Sequence, residues 1–418
     1  MTRARALLAA SALASLLFAA SLWVSARAPI RPSEKRLVAA AIELRAGGLG
    51  LLAPREEALL PWLVASLSVA SGVSASIERE VSPLAARMPA ALSALVVLLA
   101  TFVLGLRILG PRGAVVACLA LLGFTLFQDE SVRAEPGELL AALDTAGLAC
   151  LLLAFVPATA EEIKGAPEIA AAPQLARQVR RRLAALGLAL LGLGVSARGP
   201  VAAVAPLLVG VALCLVAGVR PRLGRAWLGL LVGLEPGLFG SLGAIALGRV
   251  SEVPPDTARV VGLLPLAIFV PAAALEALRA ERQAHRFHVS LAERLPTLLP
   301  LVWLAATLLA FAIPGRRASD LTVALPAAAL LLAWSLERAE GSKGRLTRVA
   351  EKAAAWALVG LGVAWVPAML VLGVSVSREL SFGIAAGFVL GGGLALRGMH
   401  AYLVVLAITA FVGVVARA

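Results

Sequence analysis

The run Pro89-Ala90-Ala91-Leu92-Ser93-Ala94-Leu95-Val96-Val97-Leu98-Leu99-Ala100-Thr101-Phe102-Val103-Leu104-Gly105-Leu106 carries no charge until Arg107 closes it. A helix rises about 1.5 Å per residue, so this run nearly crosses a hydrocarbon core about 30 Å thick. A helix satisfies its backbone within its own segment, which crossing lipid demands. Upstream lies the one long gap between apolar runs, residues 26–88, which follows a first apolar run near 5–25. Downstream, apolar runs succeed one another almost without pause. The reading is an all-α polytopic membrane protein whose largest extramembrane piece is that first loop.

The composition agrees: 60% of the residues are hydrophobic and 15% charged, with a mean hydropathy of +0.92. Soluble domains hold roughly 45–50% and about 25%. Thirteen spans are read, near 5–25, 89–107, 113–127, 138–158, 183–197, 200–218, 226–248, 258–278, 295–313, 320–336, 354–374, 380–396 and 398–416, the third and fifth being short. An odd number puts the termini on opposite faces. With the N-terminus cytoplasmic, the inner segments hold 22 of the 38 Lys and Arg, and the outer segments other than the long loop hold 8. The positive-inside bias therefore places the N-terminus and Lys343 in the cytoplasm, and Arg55 and the C-terminus outside a plasma (inner) membrane. This bias accounts for most of the net charge of +13. Nucleic-acid binding would need a clustered basic face, which the sequence does not display. Arg177, Arg180, Arg181 and Arg182 are read as a topology anchor, with anionic headgroup binding as the alternative. Residues 1–28 also fit a signal peptide, but a polytopic chain needs no removable signal and a retained span is preferred.

Cys118, Cys150 and Cys214 lie inside predicted helices without CxxC or metal-ligand spacing, and His285, His288 and His400 are scattered. No protein-held metal is expected and no resident cofactor is assigned, a divalent cation being the one left open.

Within the first loop, Ser33 is a good N-cap for Glu34-Lys35-Arg36-Leu37-Val38-Ala39-Ala40-Ala41-Ile42-Glu43-Leu44, and Gly47-Gly48 supplies a C-cap. This predicts a short amphipathic helix on the outer face. A second apolar run, Leu59 to Ala70, is interrupted by Pro61 and too short to span, so it is expected to ride in the interface with Trp62 as anchor.

These stretches carry a family resemblance. Glu34-Lys35-Arg36 with Glu43-Leu44, then Leu59-Leu60-Pro61-Trp62-Leu63-Val64-Ala65, then Ala86-Arg87-Met88-Pro89-Ala90-Ala91-Leu92 resemble the opening of the GT-C membrane glycosyltransferases, of the protein O-mannosyltransferase and lipid A aminoarabinose transferase type. Arg198-Gly199-Pro200 with Pro206, and Arg316-Arg317 with Pro326-Ala327, resemble later motifs of that family. The resemblance implies a GT-C-like module over 1–340, with further transmembrane helices over 341–418. It implies transfer of a sugar from a polyprenyl-phosphate donor to a lipid, glycan or protein acceptor at the outer face, among membrane lipids. The family's first-loop Asp-Glu pair falls on Ser33 and Glu34, its fourth-span aspartate on Gly137, and its Lys-Pro-Pro-Leu on Glu56-Glu57-Ala58-Leu59.

Transfer from a lipid phosphate needs a base for the acceptor proton and cations for the leaving phosphate. Glu34, Glu135 and Glu138 are the carboxylates placed to replace the missing aspartates, unless they are loop charges and a helix cap. Arg36, Arg198, Arg316 and Arg317 stand at or near expected outer helix ends, and Arg133 lies in an outer hairpin, residues 128–138, beside carboxylates that include Asp129, Glu130 and Glu135. Their guanidinium groups suit phosphate, the alternative being interfacial snorkelling. Asp144, two turns into the fourth span, either lines a cavity or bonds a neighbouring helix. Gly383, Gly387 and Gly391 are read as a packing face. Two other functions stay open: a catalytically degenerate homologue that binds lipid-linked sugar or assists a partner, and a transporter or flippase, whose usual internal repeat is not found.

Overall fold

The computed structural model describes residues 2–27, 30–31, 34–46, 59–70, 81–155, 173–217, 226–235, 266–287, 289, 291–311, 318–338, 345–371, 378–397 and 401–415. Among these residues the chain is helical almost throughout and has no strand. The helices are α1 Arg3–Arg27, α2 Lys35–Ala46, α3 Leu59–Ala70, α4 Pro83–Ile108, α5 Gly110–Leu122, α6 Thr125–Glu130, α7 Pro136–Phe155, α8 Pro173–Arg198, α9 Val204–Ala217, α10 Val270–Arg286, α11 Leu291–Phe311, α12 Leu325–Glu337, α13 Arg345–Val371, α14 Arg378–Leu396 and α15 Tyr402–Val415. Among the described residues five segments are long and apolar enough to cross a membrane: Arg3–Arg27, Pro83–Ile108, Pro136–Phe155, Glu293–Phe311 and Asp320–Glu337. The other expected spans fall on shorter helices or run beyond the described residues, so the count of thirteen stays an expectation.

Side-chain size sorts the two faces of α1. Ala6, Ala10, Ala14 and Leu17 are buried, and α1 packs against α4, while Leu7, Leu8, Leu16 and Trp23 stand exposed. Small residues inward and large apolar residues outward is what a helix in lipid requires. The helix α4 starts at Pro83, six residues before the expected span, because Ser82 caps it by accepting from the Ala85 N–H at 3.2 Å. At its far end α4 turns directly into α5 through Gly110, whose φ of +85° suits glycine. Gly105 then lies against Ala114, so close that a Cβ would sit 2.7 Å from its Cα. The third span, expected over 113–127, is broken: α5 ends at Gly123 and the short α6 follows.

The first loop does not merely lie on the surface. Ala41 and Leu44 of α2 pack with Leu59, Leu60, Val64 and Ala65 of α3 onto Ala85 and Ala86 of α4, and Ala134, Leu139 and Ala197 complete this small core. Pro61 does not interrupt α3, since it stands in the first turn, where its missing N–H is tolerated. Toward the C-terminus α13, α14 and α15 pack side by side, and onto α5, α6 and α10. Gly387 and Gly391 of α14 close onto Thr409 and Leu406 of α15, whereas Gly383 faces open space.

The helix directions give the bundle two chemically distinct ends. At one end meet the last turn of α1, the starts of α2, α4 and α7, the end of α8 and the 3-10 helix Ala318–Ala324 that leads into α12. At the opposite end Arg294 bonds Glu281, Arg338 bonds Glu276, and Glu337 lies over Gly113.

Candidate functional site

Glu34 opens α2, its carbonyl accepting from the Val38 N–H at 3.0 Å. Its carboxylate is fully buried and takes four hydrogen bonds. Arg87 of α4 donates from Nε to Oε1 at 2.8 Å and from Nη2 to Oε2 at 2.6 Å. The Arg31 N–H donates to Oε2 at 2.8 Å and the Ala134 N–H to Oε1 at 3.0 Å. Arg87 also donates from Nη1 to the Ser25 carbonyl at 3.4 Å. One buried pair thus ties α1, α2, α4 and the 131–135 turn together. Burial opposes the charge of Glu34, but the bonds from Arg87, Arg31 and Ala134 outweigh it, and the carboxyl titrates below the usual glutamate range.

Next to this pair Arg133 bonds Asp129 at 2.6 Å, and Arg31 approaches the same carboxylate at 3.8 Å. Burial and the nearby Arg133 lower the Arg31 pKa. Ser131 joins the turn to α1 through Ser21, 3.2 Å away, and Gln128 reaches the Ala407 carbonyl of α15 at 3.2 Å. Glu130, Glu135 and Glu138 are all buried here. Glu138 stands in the first turn of α7, and neither of its carboxylate oxygens has a hydrogen-bond partner among the described residues. Of the three expected carboxylates, then, Glu34 is saturated, and Glu135 and Glu138 share the adjoining turn and helix start.

A second cluster forms where α8 ends. Gly199, with φ +81°, closes the helix by donating from its N–H to the Val195 carbonyl at 2.8 Å, and Pro200 starts a 3-10 turn. This local stop sets Arg198 at the helix tip. Its Nε and Nη2 donate to the two carboxylate oxygens of Asp320 at 2.8 and 3.1 Å. Thr322, on the same 3-10 helix as Asp320, donates to the carbonyl of Gly137 at 2.9 Å. Leu140, Asp144, Ala202, Thr307, Phe311 and Asp320 line a pocket between α7, α11 and these turns. Asp144 is therefore a lining residue.

Arg36 is exposed on α2 and outside both clusters. Arg316, Arg317, Ser33, Gly47 and Gly48 lie outside the described residues. Among the described residues no three His, Cys, Asp or Glu side chains are grouped to hold a metal ion. Sequence reading passed over Arg31 and Asp320, and singled out neither Arg87 within its motif nor Asp129 among the hairpin carboxylates as a site residue. The signal for Asp320 was available: it is the one charge in the 320–336 run, and a lone carboxylate at a span needs a partner.

No protein-family model and no curated protein sequence matches the chain. Solved structures do. ArnT from Cupriavidus metallidurans in the apo state superposes with a TM-score of 0.69 at 19% identity, over 98% of this chain and 76% of that one. ArnT bound to undecaprenyl phosphate gives 0.67 at 17% identity, over 98% and 77%. The Archaeoglobus fulgidus oligosaccharyltransferase tethered to an acceptor peptide gives 0.50 at 12% identity, over 96% and 55%. The described residues of this chain share the fold of the ArnT structures.

Proposed function

We propose that this protein is a membrane glycosyltransferase that takes a sugar from a polyprenyl-phosphate donor and passes it to an acceptor at the outer face. The observation that carries the reading is convergence. Residues far apart in sequence bring carboxylates and arginines to one end of a fold shared with ArnT, a structure of which holds undecaprenyl phosphate. In this reading Arg198 takes the lipid phosphate, with Arg133, Arg316 and Arg317 as further cations, since charge builds on that phosphate as the sugar leaves. The acceptor proton goes to Glu138 or Glu135. Among the described residues no hydrogen bond reaches the Glu138 carboxylate, whereas Glu34 holds the turn that leads to Glu135 and Glu138.

The test is transfer from undecaprenyl-phosphate-linked sugars by the purified protein. Product forms, and Glu138→Gln lowers turnover about 10²-fold or more if Glu138 is the base. A second reading, a degenerate homologue that binds the donor without transferring it, is favoured by Ser33 and Gly137 at the family's aspartate positions. Transfer by Ser33→Asp with Gly137→Asp, and none by the wild type, would establish that alternative.

A further inference from the structure

Arg198 is already engaged. The fork that would grip two phosphate oxygens grips two carboxylate oxygens of Asp320, at 2.8 and 3.1 Å, with the side chains only 10% and 2% exposed. Asp320 also forms part of the wall of the pocket beside it, whose other sides include apolar Leu140, Ala202 and Phe311 and the carboxylate of Asp144. A phosphate arriving at Arg198 meets like charge on Asp320, and the two anions need the same donors.

We propose that Asp320 is an internal counter-ion that occupies Arg198 in the ligand-free protein and is exchanged for the phosphate of the incoming lipid. This rests on the polyprenyl-phosphate reading above and adds a specificity-determining residue to it. Only an anion that bonds Arg198 better than a pre-positioned carboxylate displaces Asp320. Neutral polyprenols and weakly bound anions do not. The Thr322 bond to the Gly137 carbonyl anchors the 3-10 helix, so the exchange calls for rotation of the Asp320 side chain while the segment stays in place.

Equilibrium binding of undecaprenyl phosphate to the full-length protein in detergent tests this, with undecaprenol as the phosphate-free control. Asp320→Asn keeps the size and removes the competing charge. It tightens undecaprenyl phosphate binding about tenfold, a factor in line with the loss of one charged hydrogen-bond competitor, and leaves undecaprenol binding unchanged. Asp320→Ala shifts affinity in the same direction, which guards against a peculiarity of the asparagine. The gain disappears when Arg198 is already glutamine, because the exchange then has no object. Weaker or unchanged binding in both Asp320 variants would make Asp320 a support for Arg198 and overturn the proposal. Binding by Asp320→Asn alone, with none by the wild type, supports it in its strongest form. Binding by neither overturns it together with the polyprenyl-phosphate reading, whereas wild-type binding with no gain overturns the counter-ion alone.

Discussion

Glu34 and Arg87 pose the sharpest question at the scale of single residues, because a buried ion pair is retained at a desolvation cost. Removing one partner leaves the other charged and buried, so Glu34→Gln should destabilise the protein by about 3–5 kcal/mol. Replacing both together, as in Glu34→Leu with Arg87→Met, should recover much of that loss. Unfolding in detergent measures both. The pH dependence has a definite sign. The folded pKa of Glu34 is depressed, so its contribution is fully present above its unfolded pKa, about 4.3, and is lost as the pH falls through the lower folded value. A stability curve that is flat below pH 4.5 in the wild type, or that keeps its slope in Glu34→Gln, would separate the slope from this pair. The consequence for chemistry is that Glu34 reads as a positioning residue: it accepts from the Ala134 N–H and so holds the turn between Asp129 and Glu138.

At the scale of elements, the sequence made the apolar helices and the α2 amphipathic segment readable, because burial in lipid and on a protein face leaves period and composition behind. It did not reveal where helices end against one another. The extension of α4 to Pro83 depends on the Ser82 cap, and the break at Gly123 on packing, since Leu266 lies against that glycine. Arg198-Gly199-Pro200 was legible as a motif, but its geometry was not. The structure supplies the reason for the glycine. An L side chain in the left-handed region costs about 1–2 kcal/mol, so Gly199→Ala should lower stability by that amount and loosen the placement of Arg198. The expected result is a modest fall in the unfolding midpoint with a severalfold loss of undecaprenyl phosphate affinity. A fall in stability with unchanged affinity would show that the helix stop does not position Arg198. The Arg198–Asp320 pair spans 122 positions, and no local pattern announces a partner at that distance.

Across the whole molecule, the two ends carry separate charged clusters, and the positive-inside reading of the loops predicts that they face opposite sides of the membrane. Arg36 at the site end and Arg282 at the other are both exposed. Single cysteines placed there should react differently with a membrane-impermeant thiol reagent in intact cells: position 36 labels and position 282 does not until the membrane is opened. Labelling in the reverse order would invert the topology and move the site to the cytoplasmic face.

The claim on which the functional account turns is that the cluster at the end of α8 receives a lipid phosphate, and equilibrium binding of undecaprenyl phosphate to the wild type and to Arg198→Ala tests it most directly. A charge-assisted contact to phosphate is worth roughly 1.5–3 kcal/mol. The account predicts saturable binding by the wild type that weakens by about tenfold or more in Arg198→Ala. Binding that is absent, or that Arg198→Ala leaves untouched, would contradict it.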